Sequence, residues 1–465
     1  LRPTRCGVWW HRGVAIRTSE LLLWLLQPAD HRRAFFVPVG SERLGVRDWR
    51  GKSAPRGIRQ SFAHPLFKKF TRLPCRVADC CRYDARMDFS LAPITERVRA
   101  AAADQTPLRI RGGGTKDFHG LALHGQVLDT RVLRGIVSYE PSELVVTVRA
   151  GTPLAELEAV LAEQGQCLPF EPPHFAKTPA DAATVGGMVA AGLSGPARAS
   201  VGAVRDYLLG VTLLNGKAEL LTFGGQVMKN VAGYDVARLM AGAWGTLGLL
   251  TEVSLKVLPV APGEATLRFE GINQADALRK LHAWGGQPLP LNASCWLQDA
   301  AVDEGAGTLY VRLRGAVAAV EAACKTMGGT RMDNATVAAD WTACREQTLP
   351  WFTDRATRPD HALWRLSVPA TAPVLALPGG AQPLVEWHGA LRWVQAPESA
   401  GDALREAARA VGGSASVFVA AEANKTGASG VFDLQSKALE QIHTRLKHSF
   451  DPAGIFNPGR MARAW

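Results

Sequence analysis

Paired cysteines are missing from this sequence. Its eight cysteines include no Cys-x-x-Cys, and the four beyond residue 87 (Cys167, Cys295, Cys324 and Cys344) stand far apart. Iron–sulfur clusters and structural zinc need several thiolates at short spacing, so neither is encoded and no metal site is expected. Scattered single thiols suit a reducing cytoplasm, where they pack as small hydrophobes. Long apolar runs are missing too. The stretch Leu21 to Leu26 is six residues long, short of a signal-peptide core and far short of the roughly 20 that cross a bilayer. No membrane crossing is expected. The Gly-x-Gly-x-x-Gly dinucleotide fingerprint and the phosphate loop ending in Gly-Lys-Ser/Thr are absent, which weakens NAD and nucleoside triphosphates as ligands.

A uniform field for a polyanion is also lacking, although the 465-residue chain carries a net charge of +11. Residues 1–86 hold 18 of the 53 Lys and Arg against six of the 42 acids, so the remainder is close to neutral. The basic balance therefore belongs to one segment and is no nucleic-acid signal. That segment scatters Arg, Trp and the cysteines Cys6, Cys75, Cys80 and Cys81 without a helical or strand period, and a folded domain is not expected there. It reads either as a flexible basic arm or as translated sequence upstream of a true start at Met87. The second is preferred because ordered patterning begins at Met87.

From Met87 onward α and β elements mix. A helix is expected near Pro93–Ala103, a strand at Leu108–Arg111 and another around Leu144–Arg149. The segment Pro153–Gln164 reads as a helix capped by Thr152, with Leu154, Leu157, Val160 and Leu161 on one face and Gly165 at its end. Asn215-Gly216 between Leu208–Leu214 and Lys217–Phe223 predicts a tight hairpin. Leu250–Leu258 alternates as a strand until Pro259. Pro259–Gly263 reads as a boundary between a first domain, 87–260, and a second α+β domain, 261–434, with strands such as Thr308–Leu313 and helices such as Ala316–Met327. The tail, 435–465, has helical spacing from Gln435 to Lys447 and then a turn-rich end expected to pack back on the first domain.

Two glycine loops carry the candidate chemistry. Arg111-Gly112-Gly113-Gly114-Thr115 directly follows a strand, and three glycines let a backbone approach an anion with its N–H groups turned inward. Alone, such a run more often makes an ordinary turn. A second loop, from Thr184, Val185, Gly186 and Gly187 to Gly192 and Gly195, precedes Arg205-Asp206 and permits close approach to a flat or charged ligand. The competing reading is that Gly186 and Gly187 merely let a helix pack tightly on a sheet.

These loops, together with Glu171-Pro172-Pro173-His174, Gly202-Ala203-Val204-Arg205-Asp206, the run from Gly224 through Lys229, Asn230 and Tyr234 to Asp235, Gly245-Thr246-Leu247-Gly248, Leu363-Trp364-Arg365, Gly389-Ala390-Leu391-Arg392-Trp393 and Asn457-Pro458-Gly459-Arg460-Met461, carry a resemblance. Over about residues 87–465 the chain resembles the FAD-binding subunit of bacterial glycolate oxidase, within the vanillyl-alcohol-oxidase or PCMH-type flavoproteins. The resemblance implies an α+β fold, with a PCMH-type FAD-binding domain of two α/β subdomains and a C-terminal α+β cap domain. It implies that the first loop and Thr184–Gly195 hold the FAD pyrophosphate and that Leu250-Thr251 lies along the flavin. Arg205, Asp206, Gly245 and Asn457 join the implied cofactor set. Covalent relatives often carry a histidine where this chain has Thr115, so noncovalent FAD is expected. His119, His124 and His174 read as surface or hydrogen-bonding groups.

The resemblance further implies oxidation of a 2-hydroxy acid such as glycolate, with electrons passed to an iron–sulfur subunit beside a catalytic FAD subunit. A cytoplasmic location is implied, with the assembly resting on the inner membrane as an open alternative. The Gly-Asp-Gly-Asn-x-His segment and the Glu-His pair of the related catalytic subunit are absent, which puts independent turnover in question. An autonomous 2-hydroxy-acid dehydrogenase and a scaffold with a vestigial flavin site remain as alternatives. Arg365 and Arg392, beside Trp364 and Trp393 on strand-like stretches, are the candidates for a carboxylate clamp; a packing role is the plainer reading of each.

Overall fold

A computed structural model describes residues 8–11, 14–17 and 91–462, apart from 121–122, 177, 179–181, 226–234, 299–304, 423–431 and 434–435. The chain divides into two compact units, Leu1–Arg76 and Val77–Trp465. In the first, β1 (Val8–His11) and β2 (Val14–Arg17) pair antiparallel. This short hairpin was not expected from a segment without a strand period. The remainder of the segment lies outside the described residues, as does the whole run between Gly225 and Asp235.

The second unit opens with α1 (Ala92–Asp104), which buries Ile94, Val98 and Ala101. Next comes a parallel pair, β3 (Leu108–Arg111) and β4 (Gln126–Asp129). A five-stranded antiparallel sheet follows, from β5 (Ile136–Glu140), β6 (Val145–Arg149), β8 (Leu208–Leu214), β9 (Leu220–Gly224) and β10 (Leu249–Lys256), in the order β5-β6-β10-β8-β9. Helix α2 (Leu154–Glu163) covers it with Leu154, Leu157 and Leu161 fully buried. Gly165 ends that helix at φ +63°, a conformation glycine adopts without a Cβ penalty. Thr152 does not cap it, because its hydroxyl is engaged at Gly135, accepting from the N–H at 2.9 Å and donating to the carbonyl at 3.2 Å.

The hairpin between β8 and β9 forms, but around five residues rather than two. The Asn215 side chain accepts from the N–H of Lys217 and of Glu219, and Ala218 rather than Gly216 takes the positive φ. Gly216 is needed for a different reason: a Cβ there would lie 2.4 Å from the Asp451 carboxylate. Strand β10 ends at Lys256, and Leu258–Pro259 (β11) pairs separately with Gln166–Cys167 (β7). Proline is therefore a short edge strand here, not a stop.

An eight-stranded antiparallel sheet follows. It comprises β12 (Gly263–Asn273), β13 (Leu291–Gln298), β14 (Ala306–Gly315), β15 (Thr330–Arg331), β16 (His361–Ser367), β17 (Leu384–Glu386), β18 (Leu391–Pro397) and β19 (Ser414–Val419), ordered β15-β12-β14-β13-β17-β18-β16-β19. Helices α3 (Gln274–Gly285) and α4 (Val317–Met327) pack on it through Leu278, Leu281, Val320 and Ala323. Helix α5 (Asn334–Glu346) sends Val337, Trp341 and Cys344 into another core.

The tail returns to the start of the unit. Helix α6 (Lys437–Phe450) ends where Lys447, inside the protein, donates to Asp451 at 2.6 Å, to the Thr246 carbonyl at 2.8 Å and to the Phe456 carbonyl at 2.9 Å. Asp451 in turn accepts from the N–H groups of Ile455 and Phe456. Leu108 and residues 455–457 then exchange backbone hydrogen bonds, so the tail runs parallel beside β3.

Candidate functional site

The strand β3 delivers the first glycine loop, and the second docks beside the end of β6, where Gly186 N–H donates to the Ala150 carbonyl at 2.7 Å and Val185 N–H to the Thr152 carbonyl at 2.9 Å. Asp117 fixes the first loop by accepting from Arg111 at 2.8 Å and also from Arg109. Thr184 caps the short helix Val185–Ala191, its hydroxyl accepting from Gly187 N–H at 3.2 Å. The two loops touch through their backbones. A Cβ on Gly112 would sit 2.3 Å from the Thr184 hydroxyl, and one on Gly113 only 1.8 Å from the Ala182 carbonyl.

The paired glycines of the second loop divide the two readings made of them. Gly186 packs on the end of β6, where a Cβ would lie 2.7 Å from that of Ala150. Gly187 would meet only the Thr184 hydroxyl, at 3.0 Å, and otherwise faces an open cleft.

That cleft encloses about 890 Å³ with its mouth and is lined by both loops, by Trp244-Gly245, Gly248 and Leu250, and by Asn457 and Arg460 of the tail. Asn457 ties the tail in: its carbonyl oxygen accepts from Ile110 N–H at 2.8 Å and its amide donates to the Trp244 carbonyl at 2.7 Å. Gly245, at φ +70°, has no room for a Cβ beside that amide. Besides Arg111, which is paired with Asp117, two cations lie in the walls. Lys116 is 8% exposed, and burial pulls its ammonium down to about 8. Arg460 stacks on Trp244 at 5.1 Å and donates to the Lys116 carbonyl at 2.9 Å. Its Nη1 is buried without a partner among the described residues. Sequence reasoning missed Lys116, Trp244, Gly248 and Arg460 as cleft residues, although Gly248 and Arg460 lay within quoted motifs and Asn457 of the same tail was in the implied cofactor set.

Of the residues singled out from the sequence, Arg111 to Thr115, Thr184, Gly186, Gly187, Gly245, Leu250 and Asn457 line the cleft. Several others support it from outside. Val185 is core, and Gly192 at φ +64° ends its helix against the Gly242 backbone. Gly195 accepts from the Trp387 indole at 3.0 Å. Asp206 accepts from Ala203 N–H at 2.8 Å, whereas the Arg205 side chain is 67% exposed. The Thr251 hydroxyl donates to the Thr212 carbonyl at a bulge of β10. Arg392 is no clamp: wholly buried, it donates to the Gly389 and Ala372 carbonyls. Arg365 lies across the sheet from Trp393, on the face opposite Arg392, and lines a separate cavity. His174 is structural, with its ring 2.9 Å from Glu158 and its N–H on Glu346. His119 is buried against Trp244 at 4.6 Å, and desolvation pulls its imidazole down to about 4.

A long cleft with a bare-backbone cradle, a flat aromatic wall and an unpartnered guanidinium nitrogen fits a ligand having both an anionic centre and a large planar ring. FAD is such a ligand. The family described as FAD binding domain matches residues 90–224. Among solved structures, alkyldihydroxyacetonephosphate synthase aligns with a TM-score of 0.58 at 16% identity, covering 79% of this chain and 75% of that one. p-Cresol methylhydroxylase aligns at 0.57 and 14% identity, covering 81% and 88%. The fold is thus that of the PCMH-type FAD-binding oxidoreductases, and FAD is the cofactor. Glycolate oxidase subunit GlcE of Escherichia coli (strain K12) is 43% identical over 374 residues, 80% of this chain and 97% of its own length, and the chain belongs to that family. Glycolate oxidase subunit GlcD of Bacillus subtilis (strain 168) is 27% identical over 48% of this chain and 47% of its own length.

Proposed function

We propose that this chain is the FAD-binding GlcE-type subunit of an assembly that oxidises glycolate or a similar 2-hydroxy acid and passes the electrons to an iron–sulfur subunit. The observation that carries the reading is the match along 97% of the subunit GlcE, with the glycine loops of the cleft inside the matched domain. Gly112 to Gly114 and Thr184 to Gly187 would hold the pyrophosphate, with Gly245, Leu250 and Asn457 along the remainder of the cofactor. Arg460 and Lys116 add positive charge to the cleft walls. Bound there, FAD supplies the acceptor for the electron pair of the substrate carbon–hydrogen bond. Thr115, at the position where covalent relatives carry histidine, supports noncovalent binding.

A partner is needed because the sequence offers no cysteine set for a second redox centre. No helix among the described residues is long and apolar enough to cross a membrane. The test is an absorbance spectrum of the purified chain before and after acid precipitation, then glycolate addition with and without companion subunits. Flavin released by acid, and bleached by glycolate only in the assembly, is the expected result. Bleaching of the lone chain would make it an autonomous dehydrogenase, and a chain without flavin would overturn the reading.

A further inference from the structure

A second, smaller cavity, about 350 Å³ with its open mouth included, lies between the Leu193–Pro196 segment and the face of the eight-stranded sheet that carries Arg365. It adjoins the FAD cleft: Ala190 and Ala191 line the cleft, and Leu193 and Ser194, just past Gly192, line the cavity. Phe175 borders it too, and the Lys116 ammonium of the cleft lies 5.5 Å over that ring.

The charge in this cavity is unbalanced. Arg345, in the lining, is paired with Glu346 at 2.8 Å; two further guanidiniums lie near the Trp387 ring, Arg198, just outside the lining, at 4.4 Å and Arg365, in the lining, at 5.2 Å from its centroid. Among the described residues neither has a carboxylate within ion-pair distance, and the Nε of Arg365 is buried with no hydrogen-bond partner. The nearby carboxyl, Glu386, is engaged elsewhere, accepting from the Cys344 thiol at 3.1 Å and the Trp393 indole at 2.5 Å. Burial pushes Glu386 up to about 7, so it offsets only part of the positive charge at neutral pH. Arg365, pulled down to about 10 by the same burial, stays charged. A buried cation without its counter-ion costs stability and is kept where a ligand supplies that counter-ion. The backbone agrees. Trp387 and His388 both sit at positive φ, +53° and +55°, a conformation unfavourable for side-chain-bearing residues and common at binding sites.

We propose that this cavity binds a small 2-hydroxy monocarboxylate, its carboxylate paired with Arg365 and its hydroxyl directed to Glu386. The ligand identity rests on the reading of the chain as part of a 2-hydroxy-acid oxidising flavoprotein. The anion-binding character rests on the geometry alone.

The test is calorimetric titration of the FAD-loaded full chain with glycolate, and separately with acetate, without an electron acceptor. One site per chain is expected, with glycolate binding several-fold more tightly than acetate. In Arg365→Met the glycolate affinity should fall tenfold or more while the flavin spectrum is unchanged, and the melting temperature should hold or rise, because an unpaired buried charge is gone. A merely structural arginine would give the opposite, a lower melting temperature with glycolate binding intact. No glycolate binding to the loaded wild-type chain at tens of millimolar, or equal binding by Arg365→Met, overturns the proposal. Acetate binding as tightly as glycolate overturns the role of Glu386. Absence of flavin from the purified chain is a separate readout and counts against the proposed function, not against this site.

Discussion

The two cavities of this protein are built by opposite means. The glycine-loop cleft is made where side chains are missing: Gly112, Gly113 and Gly187 bring bare backbone together, and charge enters at Lys116 and Arg460 beside the Arg111–Asp117 pair. The neighbouring cavity is made of large side chains, Arg365, Glu386 and Trp393 from the sheet and Trp387 from the turn after β17. A backbone cradle tolerates almost no added atoms but asks little of electrostatics. A side-chain cavity tolerates shape changes better and depends on which charges are satisfied.

The contrast predicts different failures. The largest effect should come from Asp451→Ala, which strips the carboxylate from buried Lys447 and from two backbone donors. A cost of about 3–5 kcal/mol in urea unfolding is expected, with flavin content falling as Asn457 and Arg460 lose their anchor. Flavin retained at full occupancy would show that the tail does not complete the cleft. Next, Gly113→Val must displace the Ala182 carbonyl, costing roughly 1–3 kcal/mol together with FAD. Gly187→Val should lose FAD with stability nearly intact, since only the Thr184 hydroxyl and the cleft lie ahead of its Cβ. Equal destabilisation by both would erase the distinction drawn between these glycines.

A smaller effect is expected at Glu386. Its carboxyl is held above the usual range by burial, so the folded state binds the proton more tightly than the unfolded chain. Its contribution to stability is therefore present at low pH and declines as pH rises from about 4.5 through 7. His119 and His388, both held down to about 4, act in the opposite direction, losing stability as pH falls below about 6.5. The wild type must accordingly be compared with Glu386→Gln at each pH, and that difference should shrink toward pH 5. A constant difference would show that the carboxyl titrates normally. Smallest of all, Arg205→Ala should change stability by less than about 0.5 kcal/mol and leave flavin content alone, because its side chain is in solvent.

What the sequence disclosed follows the same division. Glycine loops are local, so the run at Gly112 and the pair at Gly186 announced the cleft, and the spacing of Leu154, Leu157 and Leu161 announced a buried helix face. Turn chemistry was less legible: Asn215-Gly216 made a hairpin, but Asp451, far along the chain, decided what that glycine was for. Arg365 and Arg392 looked alike in sequence, each beside a tryptophan on a strand. In the sheet Arg365 stands opposite Trp393 and Arg392 opposite Leu366, so the alternation of strand faces sends one to a cavity and the other into the core. Only the register between two distant strands separates them. Trp244 and Arg460 meet for a similar reason, through a contact between segments more than 200 residues apart.

The tail beside β3 also imposes an order of events. Asn457 and Arg460 belong to the final stretch of the sequence, yet they furnish one wall of a cleft whose other walls are complete by Leu250. During synthesis the five-stranded sheet that ends at Lys256 can close long before that wall exists. The complete set of walls is present only once residues 457–460 have been made and docked beside β3. A polypeptide cut short before residue 457 lacks that wall, so cofactor retention would report whether synthesis had run through the tail.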